Sequence, residues 1–372
     1  MAGTKKNKET KKNILDESSI NFLKTYINNA SPVGFEASGQ KLWLEYLKPY
    51  IDAAFTDAYG TAVGVINPEH PFKVVIEAHA DEISWFVNYI NEQGFIYLRR
   101  NGGVDHQIAP AKRVWIHGKK GPVKAVFGWP AIHTRHNPDA KEPQPKPDNL
   151  FLDCGARSKK EVEDLGIHVG AVVTYEEGFD ELANGYYIGR AFDNKVGGFM
   201  IAQVARLIKE HKDKLPFGLY IVNAVQEEIG LRGAEMIARR IKPDVAIITD
   251  VTHDTQTPFI NKNTEGDTAC GKGPALTYGP AVQNKLLNLI QDVAKKNKIG
   301  VQLRATSRST GTDTDSFAYA NDGCPSALIS IPLRYMHTTV EMLHKDDIVQ
   351  TIQLMYETLK AITPKTSFSY FE

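Results

Sequence analysis

The sequence predicts an α/β/α sandwich with a mostly parallel central sheet, interrupted by a smaller β-barrel-like unit. Three observations predict it. From Phe192 onward, short apolar runs of strand length alternate with segments of helical periodicity, the pattern of a parallel sheet covered on both faces. Between about Ile83 and Gly185 the texture changes to short β-prone runs, such as 86–90, 95–98 and 114–116, separated by turns. The chain has 372 residues, more than one ordinary core holds, so a second unit is expected.

Each element follows from local pattern. Residues 1–13 are rich in Lys, Thr and Asn with no apolar segment behind them, and read as a disordered basic tail, not a secretory leader. Phe22, Leu23, Tyr26 and Ile27 fall on one helical face, as do Leu42, Leu44, Leu47 and Ile51, with the turn Ser31-Pro32-Val33-Gly34 between them. Runs 63–66 and 74–78 are strands flanking Asn67-Pro68. Within the insert, the proline-rich stretch 137–148 reads as a mobile loop and 159–165 as one short helix. Then come helix 196–210, strand 219–225, helix 233–240, strand 245–249, helix 283–296, strand 327–331 and helix 348–362. The expected division is a tail (1–13), a main α/β unit (14–83 with 185–372) and an inserted β-rich unit (84–184).

Composition excludes several classes. Lys plus Arg, at 44, balance Asp plus Glu, at 44, so net charge offers no reason to expect nucleic acid or acidic membranes as partners. No apolar stretch approaches membrane-spanning length. Cys154, Cys270 and Cys324 are too few and scattered for a disulfide framework, and without a Cys-x-x-Cys they offer no thiolate zinc site; a reducing, cytoplasmic setting is expected.

In open α/β sheets, sites form beyond the carboxyl ends of the strands. Here those ends carry His79 with Asp81, the pair Glu227-Glu228, Asp250 and, after the last strand, His337, while Asp193 opens the long helix. Folding requires no such clustering. Taken singly, each has an ordinary reading: a structural histidine, a helix cap at Asp193, a solvated turn at Glu227-Glu228. Taken together, histidines and carboxylates without thiolates are the ligand chemistry of a divalent ion such as zinc, cobalt or manganese. The number of candidates exceeds what one zinc needs and favours two ions bridged by a carboxylate. Hydrolysis at such a pair also needs a carboxylate left free to move a proton. The adjacent glutamates, whose side chains point to opposite faces of an extended chain, supply one ligand and one base, in an order the spacing leaves open. Asp81, two residues from His79, shares its face and suits orienting the imidazole.

These segments resemble the tetrahedral (TET) aminopeptidase family, which includes glutamyl aminopeptidases and some members labelled endoglucanases. The resemblance lies in His79-Ala80-Asp81-Glu82-Ile83, in Ala191 to Gly197, in Gln226 to Ala234, in Ile248-Thr249-Asp250, in Gly311-Thr312-Asp313 and in Ile329 to His337. It extends into the insert through Asp153 to Glu161. It implies a dinuclear metallo-aminopeptidase that cleaves N-terminal residues from peptides, with Zn²⁺ or Co²⁺ as the first choices. Asp193 would bridge the ions, His79 and Asp250 would hold different sides of the pair, and Glu228 and His337 would complete the shells. Glu227 would be the general base and acid, and Asp81 would orient His79. Gly311, Thr312 and Asp313 would contact substrate. The insert would mediate dimerisation, giving a homo-oligomer of at least a dimer, with tetrahedral dodecamers known in the family. Lys195 stands where the family commonly has Arg, and Thr338-Thr339 where Ser-Pro is usual.

Three other readings compete. A related co-catalytic deacylase would use the same ions on N-acylated small molecules. A glycosidase would need two carboxylates flanking a sugar and no ion pair. A binding or assembly protein would have no use for a complete ligand set.

Overall fold

The computed structural model describes residues 14–135 and 143–371. The tail 1–13 and residues 136–142 of the proline-rich stretch lie outside the described residues. The chain begins with α1 (Glu17–Asn28) and α2 (Ala37–Leu47). Asp16 caps α1, its carboxylate accepting from the Ser19 amide at 2.8 Å. Leu23, Tyr26, Ile27, Trp43 and Leu47 turn inward, as the 3.6-residue period of the sequence requires. Strands β1 (Ala53–Thr56), β2 (Ala62–Ile66) and β3 (Lys73–His79) follow.

Next, β4 (Ser84–Ile90), β5 (Ile96–Asn101), β6 (Arg113–Gly118), β7 (Gly121–Phe127), β8 (Phe151–Asp153) and β9 (Val172–Tyr175) close into a barrel in the order β4-β5-β8-β7-β6-β9. The short helix α3 (Lys159–Asp164) sits between β8 and β9. Closure leaves no open edge and encloses a separate core that includes Trp85, Ile96, Ile116, Phe127, Leu152 and Val173.

After β10 (Asp180–Glu181) and β11 (Tyr186–Gly189) come α4 (Phe192–His211), β12 (Gly218–Ala224), α5 (Arg232–Ile241), β13 (Val245–His253) and β14 (Ala275–Tyr278). Helix α6 (Asn284–Asn297), β15 (Gln302–Ala305), β16 (Ser326–Leu333), β17 (Glu341–His344) and α7 (Lys345–Ala361) complete the chain. The main sheet has eight strands in the order β1-β2-β12-β3-β13-β16-β14-β15. Its centre, β12-β3-β13-β16, is parallel, while β1, β2 and the β16–β14 pair are antiparallel. The parallel centre is the part that alternates with long helices in sequence; the flanks hold the buried strand β2 and the short strands β1, β14 and β15, which carry weak apolar signals, with β15 parallel to β14. A three-stranded sheet β10-β11-β17 ties residue 180 onward to the C-terminal segment, ahead of the boundary expected at 185.

Helix α4 is irregular at its start, where Asp193 (ψ 109°) and Asn194 (φ −116°) are non-helical, so its regular part begins close to the Val196 that periodicity suggested; the segment is buried from Phe192 to Ile208. Gly197 lets it approach β3: a Cβ there would lie 2.8 Å from the Ala78 Cβ. That approach brings Asp193, at the helix start, beside His79 at the end of β3. Among the described residues no helix is long and apolar enough to cross a membrane.

Candidate metal centre

Four central strands deliver the site. His79 is the last residue of β3, opposite Ala224 of β12. Glu227 and Glu228 follow β12 in a tight turn entered through Gln226 at φ 58°. On the other side of β3, Ile248 of β13 pairs with Glu77, so Asp250 reaches the level of His79. His337 follows β16 at φ 60°.

The side chains converge. Asp193 Oδ1 lies 3.2 Å from His79 Nε2 and its Oδ2 lies 3.3 Å from His337 Nε2, so each oxygen faces a different imidazole. Glu228 Oε2 is 3.3 Å from His337 Nε2, and Asp250 Oδ1 and Glu227 Oε2 are each 3.8 Å from His79 Nε2. The six residues form two clusters, His79 with Glu227 and Asp250, and Asp193 with Glu228 and His337. The four carboxylates among them have only these two histidines as ion-pair partners among the described residues. Four buried or half-buried carboxylates without Lys or Arg are costly unless cations join them. Divalent cations would offset that charge, and the donor set of imidazole and carboxylate fits them.

The electrostatics agree with this chemistry. Burial pushes the Glu227 carboxyl up to about 10, helped by Asp313, Asp250 and Glu228 and opposed by His79. Burial likewise takes Asp250 to about 7. Asp193 is the exception: burial works against its charge, but hydrogen bonds from His337 and His79 hold it well below the carboxylate range. Burial opposes the protons on both imidazoles, yet the carboxylates prevail; His79 rises well above its ordinary value and His337 to about 12.

A second layer holds these groups. Asp81 faces His79 Nδ1 at 3.3 Å, and its two oxygens accept from the amides of Glu227 and Glu228 at 3.0 and 3.1 Å. It therefore holds the glutamate turn by two hydrogen bonds while facing the histidine. Glu341, which sequence reasoning missed, accepts from the amides of Asp193 and His337 at 3.0 and 2.9 Å. The acidic residue at the start of β17 gave a signal only in that it follows His337 closely. Next to Asp81 in sequence, Glu82 forms buried ion pairs with Arg190 and Lys195.

Two expectations need correction. His79 and Asp250 sit in the same cluster, not on different sides, because β3 and β13 are adjacent and in register. Of the loop expected to contact substrate, Gly311 and Thr312 line the cavity over the site, but Asp313 does not. Asp313 is buried facing Glu77 of β3, and burial raises both carboxyls, Glu77 to about 8. Arg334 also turns away from the cavity, pairing with Asp254 at 2.9 Å.

The cavity, of about 680 Å³, is walled by the six site residues together with Leu231, His253, Arg304, Thr310, Thr312 and Met336. A second cavity of about 670 Å³ shares Val251, Thr252, Arg304, Thr310 and Thr312 with it.

Residues 60–354 match the model of the M42 glutamyl aminopeptidase family. The chain is 31% identical over 346 residues to a lysyl aminopeptidase of Pyrococcus furiosus, covering 92% of this chain and 97% of that one. It superposes on the TET aminopeptidase of a marine-sediment Thaumarchaeota archaeon with a TM-score of 0.89 at 29% identity, covering 94% of this chain and 98% of that one. The TET1 peptidase of Pyrococcus horikoshii, which can assemble into a tetrahedron or a large octahedral shell, shares the fold with a TM-score of 0.80 at 24% identity, covering 91% and 98%. This chain belongs to the M42 glutamyl aminopeptidase family and is an aminopeptidase by class.

Proposed function

We propose that this aminopeptidase removes N-terminal residues from peptides at a two-metal centre, with Glu227 moving the proton. The observation that carries the reading is Asp193, whose two oxygens face the two imidazoles. Asp193 would bridge the ions, His79 and Asp250 would complete one shell, and Glu228 and His337 the other. Zn²⁺ or Co²⁺ bound there would polarise the scissile carbonyl and acidify the attacking water. Glu227 lies in the first cluster, and proximity alone would also allow it to be a ligand. The base role is favoured by its place on the cavity wall beside the cluster. Glu227 takes the proton of the attacking water and hands it to the leaving amine. Asp81 keeps the carboxylate in place through the Glu227 amide.

The E227Q variant tests this assignment. It should keep both ions by elemental analysis and lose roughly 10²–10⁴-fold in kcat, the usual worth of a positioned general base. Near-normal turnover, or loss of an ion, would make Glu227 something else.

For substrate preference the informative group is the single arginine on the cavity wall, since Asp315 on the same wall accepts from the amides of Thr310 and Gly311. Of the basic residues that could meet an acidic side chain, Arg232 pairs with Glu235, Lys262 with Asp267 and Arg334 with Asp254. Arg308 is exposed and lines neither cavity. Arg304 lines both cavities, donates to the His253 carbonyl at 3.4 Å, and has no ion-pair partner among the described residues. We infer a preference for a carboxylate on the N-terminal residue, received by Arg304 among the hydroxyls of Thr252, Thr310 and Thr312. In the R304Q variant kcat/KM for a glutamyl anilide should fall roughly 10- to 100-fold, as expected for a charge-assisted hydrogen bond, with leucyl anilide unchanged. Equal loss on both substrates would remove Arg304 from specificity. Assembly beyond a monomer, with the barrel as the dimer contact, belongs to the same proposal and is read by mass in solution.

A further inference from the structure

The β5–β6 connection of the barrel runs onto the metal centre of the main unit. It leaves β5 at Asn101, whose side chain donates to the Val33 carbonyl at 3.0 Å and to Ser84 Oγ at 2.8 Å, fixing the root of the loop to α/β unit and barrel together. Two residues on, the Gly103 carbonyl lies 3.1 Å from His337 Nδ1. A carbonyl only accepts, so Nδ1 must carry the hydrogen, and it is the Nε2 proton, on the side facing Asp193 and Glu228, that would leave on ligation and free a lone pair there. The imidazole also sets the size allowed at residue 103. A Cβ on Gly103 would lie 2.7 Å from His337 Nδ1 and 2.8 Å from its Cε1. The backbone of Gly103 is outside the left-handed region, so the ring, not the backbone angle, demands glycine.

This matters because His337 is the most weakly enclosed of the six residues, with 32% of its side chain exposed against 2% for His79. It sits on a loop at positive φ, where strain must be held by surrounding contacts. From the main unit, Glu341 holds its amide. From the barrel, Gly103 holds its ring, and Lys112 Nζ donates to Thr339 Oγ1 at 2.7 Å on the same loop.

We propose that Gly103 is a positioning residue that selects the tautomer and reach of His337, making the barrel a structural part of the cluster formed by Asp193, Glu228 and His337. The proposal rests on the two-metal reading. It predicts that one ion depends on the barrel loop and the other does not.

The test is a Zn²⁺ competition titration of full-length wild type and G103A, with the melting temperature of each chelator-treated protein measured alongside. Wild type should hold two ions. In G103A one should bind as before and the other about 10- to 100-fold more weakly, the usual effect of removing a ligand's hydrogen-bond partner. Turnover should recover as Zn²⁺ is raised, and the Co²⁺-loaded variant should show an altered visible spectrum. Two ions bound with wild-type affinity in G103A would overturn the proposal. If wild type itself holds fewer than two, the two-metal reading fails instead. Should chelator-treated G103A melt below wild type, K112M decides, since it frees the same loop without crowding the ring. Weakening of one ion then supports the proposal, and unchanged affinity for both refutes it.

Discussion

The two ligand clusters of the candidate metal centre are built differently. His79 and Asp250 are borne on adjacent parallel strands in the middle of the sheet, and both are nearly inaccessible. Glu228 and His337 lie on connections beyond the strands, entered through left-handed residues and held by contacts from Asp81, Glu341 and the barrel loop. A strand residue inherits its position from the ladder on either side. A loop residue must be held by each contact separately. The strand-borne half should therefore be robust and the loop-borne half adjustable, with Asp193 joining them through its two oxygens.

The largest expected effect on this comparison comes from Glu227, which faces the strand-borne half but is held by the turn. E227Q should remove turnover by the roughly 10²–10⁴-fold stated above while leaving both ions bound; loss of the His79-side ion alone would move Glu227 into that half as a ligand. Next is Asp81, the one carboxylate that serves both halves. D81A should weaken both ions by about 10- to 100-fold each and cost about 1–3 kcal/mol for the amides left unpaired, read by metal titration and by denaturant unfolding. If only one ion suffers, the halves are more independent than the hydrogen bonds imply. The barrel-loop glycine, expected to affect the His337 ion alone, is the complementary case.

The smallest effect is in protons. Before ions bind, His79 and His337 hold theirs at neutral pH, because their values lie above the ordinary histidine range. Ligation requires the neutral imidazole, so binding at pH 7 should release both histidine protons, together with those that Glu227 and Asp250 hold before ionising beside the ions. The sign follows: affinity rises with pH, since binding competes with protons that the folded protein holds tightly. Calorimetry in two buffers of different ionisation enthalpy measures the release. Without net release, the histidines would not be the ligands.

Much of this was legible before any coordinates. Apolar runs ending in His79, Glu227-Glu228 and Asp250 announce strands with chemistry at their carboxyl ends, because a parallel sheet leaves those ends open. Helix α4 and strands β3, β12 and β13 were readable for the same reason: buried elements have continuous apolar patterns. On the flanks β2 was readable at 63–66, but β1, β14 and β15 were not. Strands β14 and β15 are short, with β15 half exposed, and their pattern differs little from that of a turn.

By itself the sequence determined the fold class, the residue types of the site and the strands that carry them, since these depend on local pattern and on which side chains bind cations. Only the tertiary structure decided which residues share a cluster. Register placed Asp250 beside His79, burial turned Asp313 toward Glu77, and contacts far apart in sequence brought Glu341 and Gly103 to His337. Those pairings depend on strand order and loop path, and neither is encoded in the spacing of the residues concerned.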